Sequence, residues 1–320
     1  MKPFNVFPYD SNINFIRMRW VSLAIALLMA LVSIGSIATK GFNFALDFTG
    51  GIGIELRYDK PIDVDGVRNR LEAAGYRNPV VQTFGTGKEL LIRLQAREEG
   101  GQGGSAHTSI AQEVRNLAST SDNPATVLNS AVVSPQVGKD LAINGVWAMI
   151  FVVTGFLIYI SFRFEKKFAI AAVATTLFVV LSVVGWFSIA GREFDLTLLA
   201  GLLSVMGFSI NDTIVVFDRV RENFRSMRAD PEKILNKSIN QTLSRTVITS
   251  FVAFLTVLAL YIYGGGSLEG MAESQMIGIV IATLSSIFVA CPLLTIGFLK
   301  VTKQDLMPKA KDEAGLARRP

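Results

Sequence analysis

The chain has 320 residues, 50% of them hydrophobic and 18% charged, with a mean hydropathy of +0.43; this excludes an ordinary soluble protein, in which about a quarter of the residues are charged. The net charge of +5 does not point to nucleic acid, because the lysines and arginines gather at the ends of apolar segments instead of forming one patch. A single cysteine, Cys291, and a single histidine, His107, exclude a disulfide framework and a Cys/His metal cluster, so no metal or other cofactor is expected.

Taken in chain order, residues 1–19 form a basic tail (Lys2, Arg17, Arg19) ahead of a first apolar segment, Trp20 to Ala38. A cleaved signal peptide would also begin with basic residues, but its apolar core is about 7 to 15 residues long, so a retained anchor is expected. The turn "LDFTGG" (46–51) follows. Asp47 can bond local backbone amides, and Gly50 and Gly51 permit backbone angles that other residues resist, so the turn is either a joint or a plain strand entry.

Residues 39–140 contain no spanning segment and are expected to form a small α+β domain. "GIGIELRY" (51–58) has strand alternation, and "DVDGVRNRLEAAGY" (63–76) has helical spacing at Val67, Leu71 and Ala74, with Asp63 as its cap. "PVVQTF" and "ELLIRLQ" are expected to be paired strands around Gly85 and Gly87. A linker-like "EEGGQGGS" precedes a helix over about 107–118 and an extended "ATVLNSAVVS". The order β-α-β-β-α-β is the ferredoxin-like split unit. The glycine tract has neither Walker nor dinucleotide spacing. Ser105 and His107 beside it form no nucleophile, base and oxyanion set, so no enzyme is expected.

Five further segments can cross a bilayer of about 30 Å, which takes roughly 20 helical residues. They are 141–162, 168–190, 194–217, 246–263 and 276–299. Between the fourth and fifth of the six spans lies a charged, amphipathic helix-loop connector with Arg219, Arg221, Arg225, Arg228, Lys233 and Lys237, whose arginines are expected to meet lipid headgroups. Cys291-Pro292 predicts a kink in the last span. The tail 300–320 is polar and is expected to be disordered. Basic residues concentrate in the N-terminal tail, at 163–167, at 218–240 and after Lys300, so both termini are expected in the cytosol and the α+β domain outside.

The stretch "GFSINDTIVVFDRVREN" (207–223) places Asn211 and Asp212 inside the fourth span. Asp212 precedes Asp218, where the charged connector begins, by six residues, on the order of 9 Å of helix. An ionised acid there is costly unless it has a partner, which marks it as a functional candidate. Arg245 in the fifth span lies at a similar depth, and an ion pair between the two is expected. Ala200, Ser204, Gly207 and Asn211 share one face of the fourth span, and Thr242, Arg245, Thr249 and Thr256 share one face of the fifth. The two stripes could line a narrow hydrated path. Alternatively, the pair only fixes helix packing and the threonines bond their own backbone.

"GFSINDTIVVFDRVREN", "SINQTLSRTVITS" (238–250) and "LDFTGG", with one span before the α+β domain and five after it, together resemble the SecF family of the bacterial protein-export machinery, within the resistance-nodulation-division superfamily. The resemblance covers nearly the whole chain. It implies a multi-pass protein of the bacterial inner membrane that pairs with SecD beside the SecYEG translocon, with YajC as a further partner. It also implies use of the proton motive force, with no bound cofactor, to draw preproteins outward. The family's proton-linked positions fall on Asp212, Arg245 and Thr249. The residues alone leave two rivals: half of a proton-coupled efflux transporter, and a non-transporting scaffold.

Overall fold

The computed structural model describes residues 12–76, 79–84, 87–94, 104–120, 122–133, 135–264 and 266–302. Expectations for most of the glycine tract, for Gly85, for the start of the N-terminal tail and for the tail after residue 302 lie outside these residues, as do the side chains of Ser105 and His107.

Among the described residues six helices are long and apolar enough to cross a membrane. The first, α1 (Arg19–Lys40), is entered through a tight turn at Ile16–Met18 and ends at Gly41, whose φ of 70° stops the helix. Only Ala26 and Ser33 along it are buried; a helix that leaves so much leucine and isoleucine uncovered belongs in lipid. Two residues, β1 (Asn43–Phe44), and one helical turn, α2 (Leu46–Thr49), then lead into the α+β domain.

That domain comprises β2 (Gly51–Arg57), α3 (Val64–Ala73), β3 (Val80–Phe84), β4 (Glu89–Leu94), α4 (Gly104–Ala118) and β5 (Thr126–Val133). Its sheet runs β3-β4-β2-β5 with every neighbouring pair antiparallel, which is the strand order of a ferredoxin-like fold. Alternation decides the inner face: Ile52, Ile54 and Leu56 on β2 and Leu90, Ile92 and Leu94 on β4 point inward. They meet Val67 and Leu71 of α3 and Ala111, Val114 and Ala118 of α4. Each fully buried leucine or isoleucine there stabilises the domain by about 1.5–3 kcal/mol. Asp63 caps α3 as its sequence predicts, its carboxylate accepting from Gly66 N–H at 3.1 Å.

Tyr58 closes one end of this core, 3% exposed, donating its hydroxyl to the Ala118 carbonyl. Burial pushes its phenol up to about 12, against a smaller opposing pull from Arg70. A phenol raised in the folded state stabilises the domain fully below pH 10 and loses that contribution as pH climbs toward 12. An ultraviolet absorbance titration of the full chain should therefore show a late-titrating tyrosine, absent in Tyr58→Phe.

The remaining helices are α5 (Pro135–Arg163), α6 (Lys166–Ala190), α7 (Leu196–Ser226), α8 (Pro231–Tyr263) and α9 (Gly266–Ser285). Several differ from the expected spans. The charged connector is helical, as expected, with a loop of only Met227–Asp230, so that α7 and α8 run on past the apolar segments. At 31 and 33 residues they are about 46 and 50 Å long, well beyond a bilayer core of about 30 Å. The charges do not end the helices because they find partners. Arg219 pairs with Glu222 at 2.6 Å, and Asn223 donates to Ser238 and Gln241 at 2.8 Å each.

The fourth span begins later than expected, because Glu193–Phe194 form a two-residue strand, β6, parallel to β1, and Asp195 caps α7. The last span begins earlier. Most of the stretch 264–275, expected to be a loop, is the first part of α9; Leu268, Glu269, Met271 and Ala272 are good helix formers, and Glu273 pairs with Arg192 at 3.3 Å. That span also stops sooner than 299. A wide π-helical turn at Ser286–Ala290 precedes the short helix Cys291–Leu293 (α10), just where Pro292 withdraws one N–H from the ladder.

Candidate functional site

Asp212 sits 16 residues into α7 and is 3% exposed. Its neighbours come from α8 and α9. Ser250 of α8 donates its hydroxyl to Asp212 Oδ2 at 3.3 Å, and Thr283 of α9 donates to Ser250 Oγ at 2.7 Å. Each hydroxyl also has a second acceptor, its own helix carbonyl: Thr246 O for Ser250 at 2.8 Å and Ile279 O for Thr283 at 2.7 Å. A hydroxyl has one proton, so each side chain chooses between the chain leading to Asp212 and its own helix. That choice is a torsion, and it depends on what Asp212 requires. As a carboxylate, Asp212 only accepts; once protonated, it also donates.

The expected ion pair is not formed: among the described residues no nitrogen of Arg245 lies within 4.0 Å of an Asp212 oxygen. Arg245 is exposed and borders a cavity of about 760 Å³ that it shares with Arg163, Arg219, Arg221, Arg225 and Thr242. The separation has a physical reason. Asp212 faces the interior of the helix cluster, whereas Arg245 lies five residues from Ser250 on a different face of α8 and keeps its guanidinium hydrated.

Among the described residues the two polar stripes do not enclose a path. Ala200, Ser204 and Asn211 on α7 and Arg245, Thr249 and Thr256 on α8 are all exposed, while Thr242 is buried. Gly207 also faces open space, with nothing within 4 Å of where a Cβ would stand. Thr249 has the carbonyls of Arg245 and Thr246 as alternative acceptors, each at 3.0 Å, and Thr256 donates to that of Val252 at 3.0 Å. The threonines thus satisfy themselves on their own helix. The small residues that bring helices together here are different ones. Gly278 of α9 lies against Val205 of α7, and Gly185 of α6 lies against Ser33 of α1.

Ser250 and Thr283 are the residues that the sequence reading missed. A signal for Ser250 exists, because Thr242, Thr246 and Ser250 recur every four residues and all three are buried. Thr283 has no such signal, since its contact depends on how α9 packs.

The hinge candidates lie at the other end of α7. Gly50 and Gly51 have φ of 73° and 139°, values that favour glycine. Asp47 does not bond its own turn: its Oδ2 accepts from Leu196 N–H, the first residue of α7, at 3.1 Å. Asp195 caps the same helix end, accepting from Leu198 N–H at 2.6 Å. Arg93 of β4 pairs with Glu193. Burial pulls its guanidinium down from the ordinary value, and Asp195 and Asp47 partly restore it. Among the described residues no group of three or more histidine, cysteine or acidic side chains is arranged to hold a metal ion.

Two family models match the chain: "Protein export membrane protein SecD/SecF, C-terminal" over residues 113–298 and "SecD/SecF GG Motif" over residues 35–62. A protein translocase subunit SecF from Pseudomonas aeruginosa is 42% identical over 303 residues, 94% of this chain and 96% of that relative. A protein of the same name from Escherichia coli O157:H7 is 40% identical over 281 residues, 88% of this chain and 86% of that relative. Among solved structures, SecDF from Thermus thermophilus, a translocon-associated membrane protein, superposes with a TM-score of 0.81 at 34% identity, covering 91% of this chain and 39% of that one. SecDF in a super-membrane-facing form gives 0.67 at 35% identity, covering 92% and 40%. The chain thus spans about two fifths of the length of these SecDF chains.

Proposed function

This chain belongs to the SecD/SecF family of protein-export membrane proteins, and from that premise we propose that it is the SecF-type half of a proton-driven accessory motor of the Sec translocase. It is a multi-pass membrane subunit whose role is in protein transport. In this reading SecD completes it, SecYEG and YajC lie beside it, and the preprotein emerging from the channel is what it draws outward. The membrane is the bacterial inner membrane. The positive residues of 163–167, 218–240 and both tails face the cytosol, and the α+β domain lies outside.

The observation that carries the proposal is a pair of facts about α7. It buries an acid, Asp212, against a two-hydroxyl chain, and it turns a stripe of small and polar residues away from the rest of this chain. Polar side chains and a guanidinium facing outward from a membrane helix need a protein or water partner, which lipid does not provide. A SecD subunit seated on Ser204, Asn211, Arg245 and Thr249 supplies it and closes the hydrated path that one chain leaves open.

The energy source is the proton gradient, without a bound cofactor. Moving one charge through 100 mV is worth about 2.3 kcal/mol. Proton binding at Asp212 turns an acceptor into a donor, so Ser250 swings its own proton to the Thr246 carbonyl and the packing of α7, α8 and α9 acquires two alternatives.

Seating is tested by cysteine cross-linking in native membranes. Ser204→Cys and Asn211→Cys should each form a covalent product with SecD. Phe162→Cys, which is 90% exposed at the end of α5, should not. Equal cross-linking from all three positions would remove the proposed interface.

A further inference from the structure

Asp47 belongs to two parts of the molecule at once. In sequence it opens the turn into β2, the central strand of the α+β domain; in space its carboxylate sits on the first N–H of α7. The start of a helix presents backbone donors without intrahelical partners and carries the positive end of the helix dipole, so an anionic side chain holds it firmly.

The surroundings fix both sides of that contact. On the domain side, α2 lies against the beginning of α5, where Gly138 leaves no room: a Cβ would stand 2.8 Å from Phe48 O and 2.9 Å from Asp47 O. On the membrane side, β6 pairs with β1 immediately before Asp195, and Phe42, Phe44, Phe48 and Phe194 pack their rings 5.1–5.9 Å apart around the pair. The ion pair from Arg93 to Glu193 adds a second link between sheet and helix entry. Just beyond Asp47 come the two glycines at positive φ, where the chain can swing.

We propose that Asp47 is a positioning residue for the export reaction, a strut that makes the start of α7 and the Gly50–Gly51 turn move together. The proposal rests on the proton-driven reading given above. Asp212 lies 16 residues, about 24 Å, down the same helix. A shift of α7 along its axis when Asp212 changes its bonding reaches Asp47 without passing through the first or second span. The route is a rigid element with a hydrogen-bonded end, and both sites bias its position.

The test uses the full chain assembled with SecD in vesicles, with fluorophores on the exposed positions Glu72→Cys of the α+β domain and Arg225→Cys at the far end of α7. Imposing a proton gradient should change the energy transfer between them. Asp47→Ala should lose that change, while Asp47→Asn, which keeps an oxygen acceptor for Leu196 N–H, should retain it. Leu196→Pro deletes the donor instead, at a first helical position where proline is well accommodated and after an extended Asp195; it should behave as Asp47→Ala does. The gradient-induced change in energy transfer, read in complexes that assemble equally with SecD, is what a merely structural role of Asp47 would leave in place. If Asp47→Ala or Leu196→Pro responds as the unmodified complex does, or if Asp47→Asn fails with Asp47→Ala, the strut is overturned. If the unmodified complex shows no change although its gradient-driven export depends on Asp212, the strut is again overturned and the proton-driven reading stands. Export that ignores the gradient overturns both.

Discussion

Asp212→Asn should abolish the gradient-dependent stage of preprotein export while the subunit still assembles with SecD. Asparagine has nearly the same shape and keeps an oxygen to accept from Ser250, so the helix packing around a position that is 3% exposed has little reason to change. What it lacks is the ability to take up a proton and release it. Removing the contribution of one proton at 100 mV, about 2.3 kcal/mol, corresponds to a loss of about fiftyfold in a step limited by it. The measurement is translocation of a preprotein in membrane vesicles with and without a proton gradient, alongside co-purification of the partner. A scaffold predicts unchanged export wherever the complex assembles. An efflux transporter predicts that the same substitution raises accumulation of a small dye and leaves export intact. Ser250→Ala should have a smaller effect, because it removes one hydroxyl from the chain and leaves the titrating group in place.

The parts of this architecture visible in the sequence are those set by local pattern. Six apolar segments declare themselves by length, and the ferredoxin-like order is written in the alternation of Ile52, Ile54 and Leu56 and the helical spacing of Val67 and Leu71. The exact ends of the helices are harder to place than their presence, because charge marks where water begins and not where a helix stops. Arg219, Glu222 and Asn223 lie past the apolar stretch, yet they stay helical by bonding one another and α8. Asp212 stands out because an acid in an apolar run is expensive. Its true neighbours do not, since Ser250 lies 38 and Thr283 71 residues away, and only the packing of three helices brings them together. Similar depth and a short connector pair Arg245 with Asp212 in the sequence; they fix a level along the helix axis and a neighbouring helix, but not the face of the helix. The same limit hid the cap from Asp47 to Leu196, a contact across 149 residues. The outward polar stripes are a different case. Their periodicity is plain in the sequence, but among the described residues nothing covers them.

Gly278→Leu should prevent stable folding of the helix cluster, and Gly278→Ala should weaken it measurably. At Gly278 α9 approaches α7 so closely that an added Cβ would lie 2.3 and 2.6 Å from the two Cγ atoms of Val205 and 3.0 Å from its Cβ. Val205 is buried and its branched side chain has one strongly preferred rotamer in a helix, so it cannot turn aside. Relief must come from the helices moving apart, and overpacking of this kind costs about 1–3 kcal/mol for a methyl group. The movement also reaches the candidate site. Thr283 stands five residues along α9 from Gly278 and Asp212 seven along α7 from Val205, so separating the helices stretches the chain from Thr283 through Ser250 to Asp212. Gly278→Ala should therefore lower both the denaturant midpoint in detergent micelles and the gradient-dependent part of export. Val205→Ala in the same chain removes the two Cγ atoms and leaves a Cβ contact that a few tenths of an ångström of adjustment absorbs. The double variant should recover most of the stability that Gly278→Ala loses, giving a coupling energy of about 0.5–3 kcal/mol in the mutant cycle. Additive losses would mean that α7 and α9 are not held at this contact.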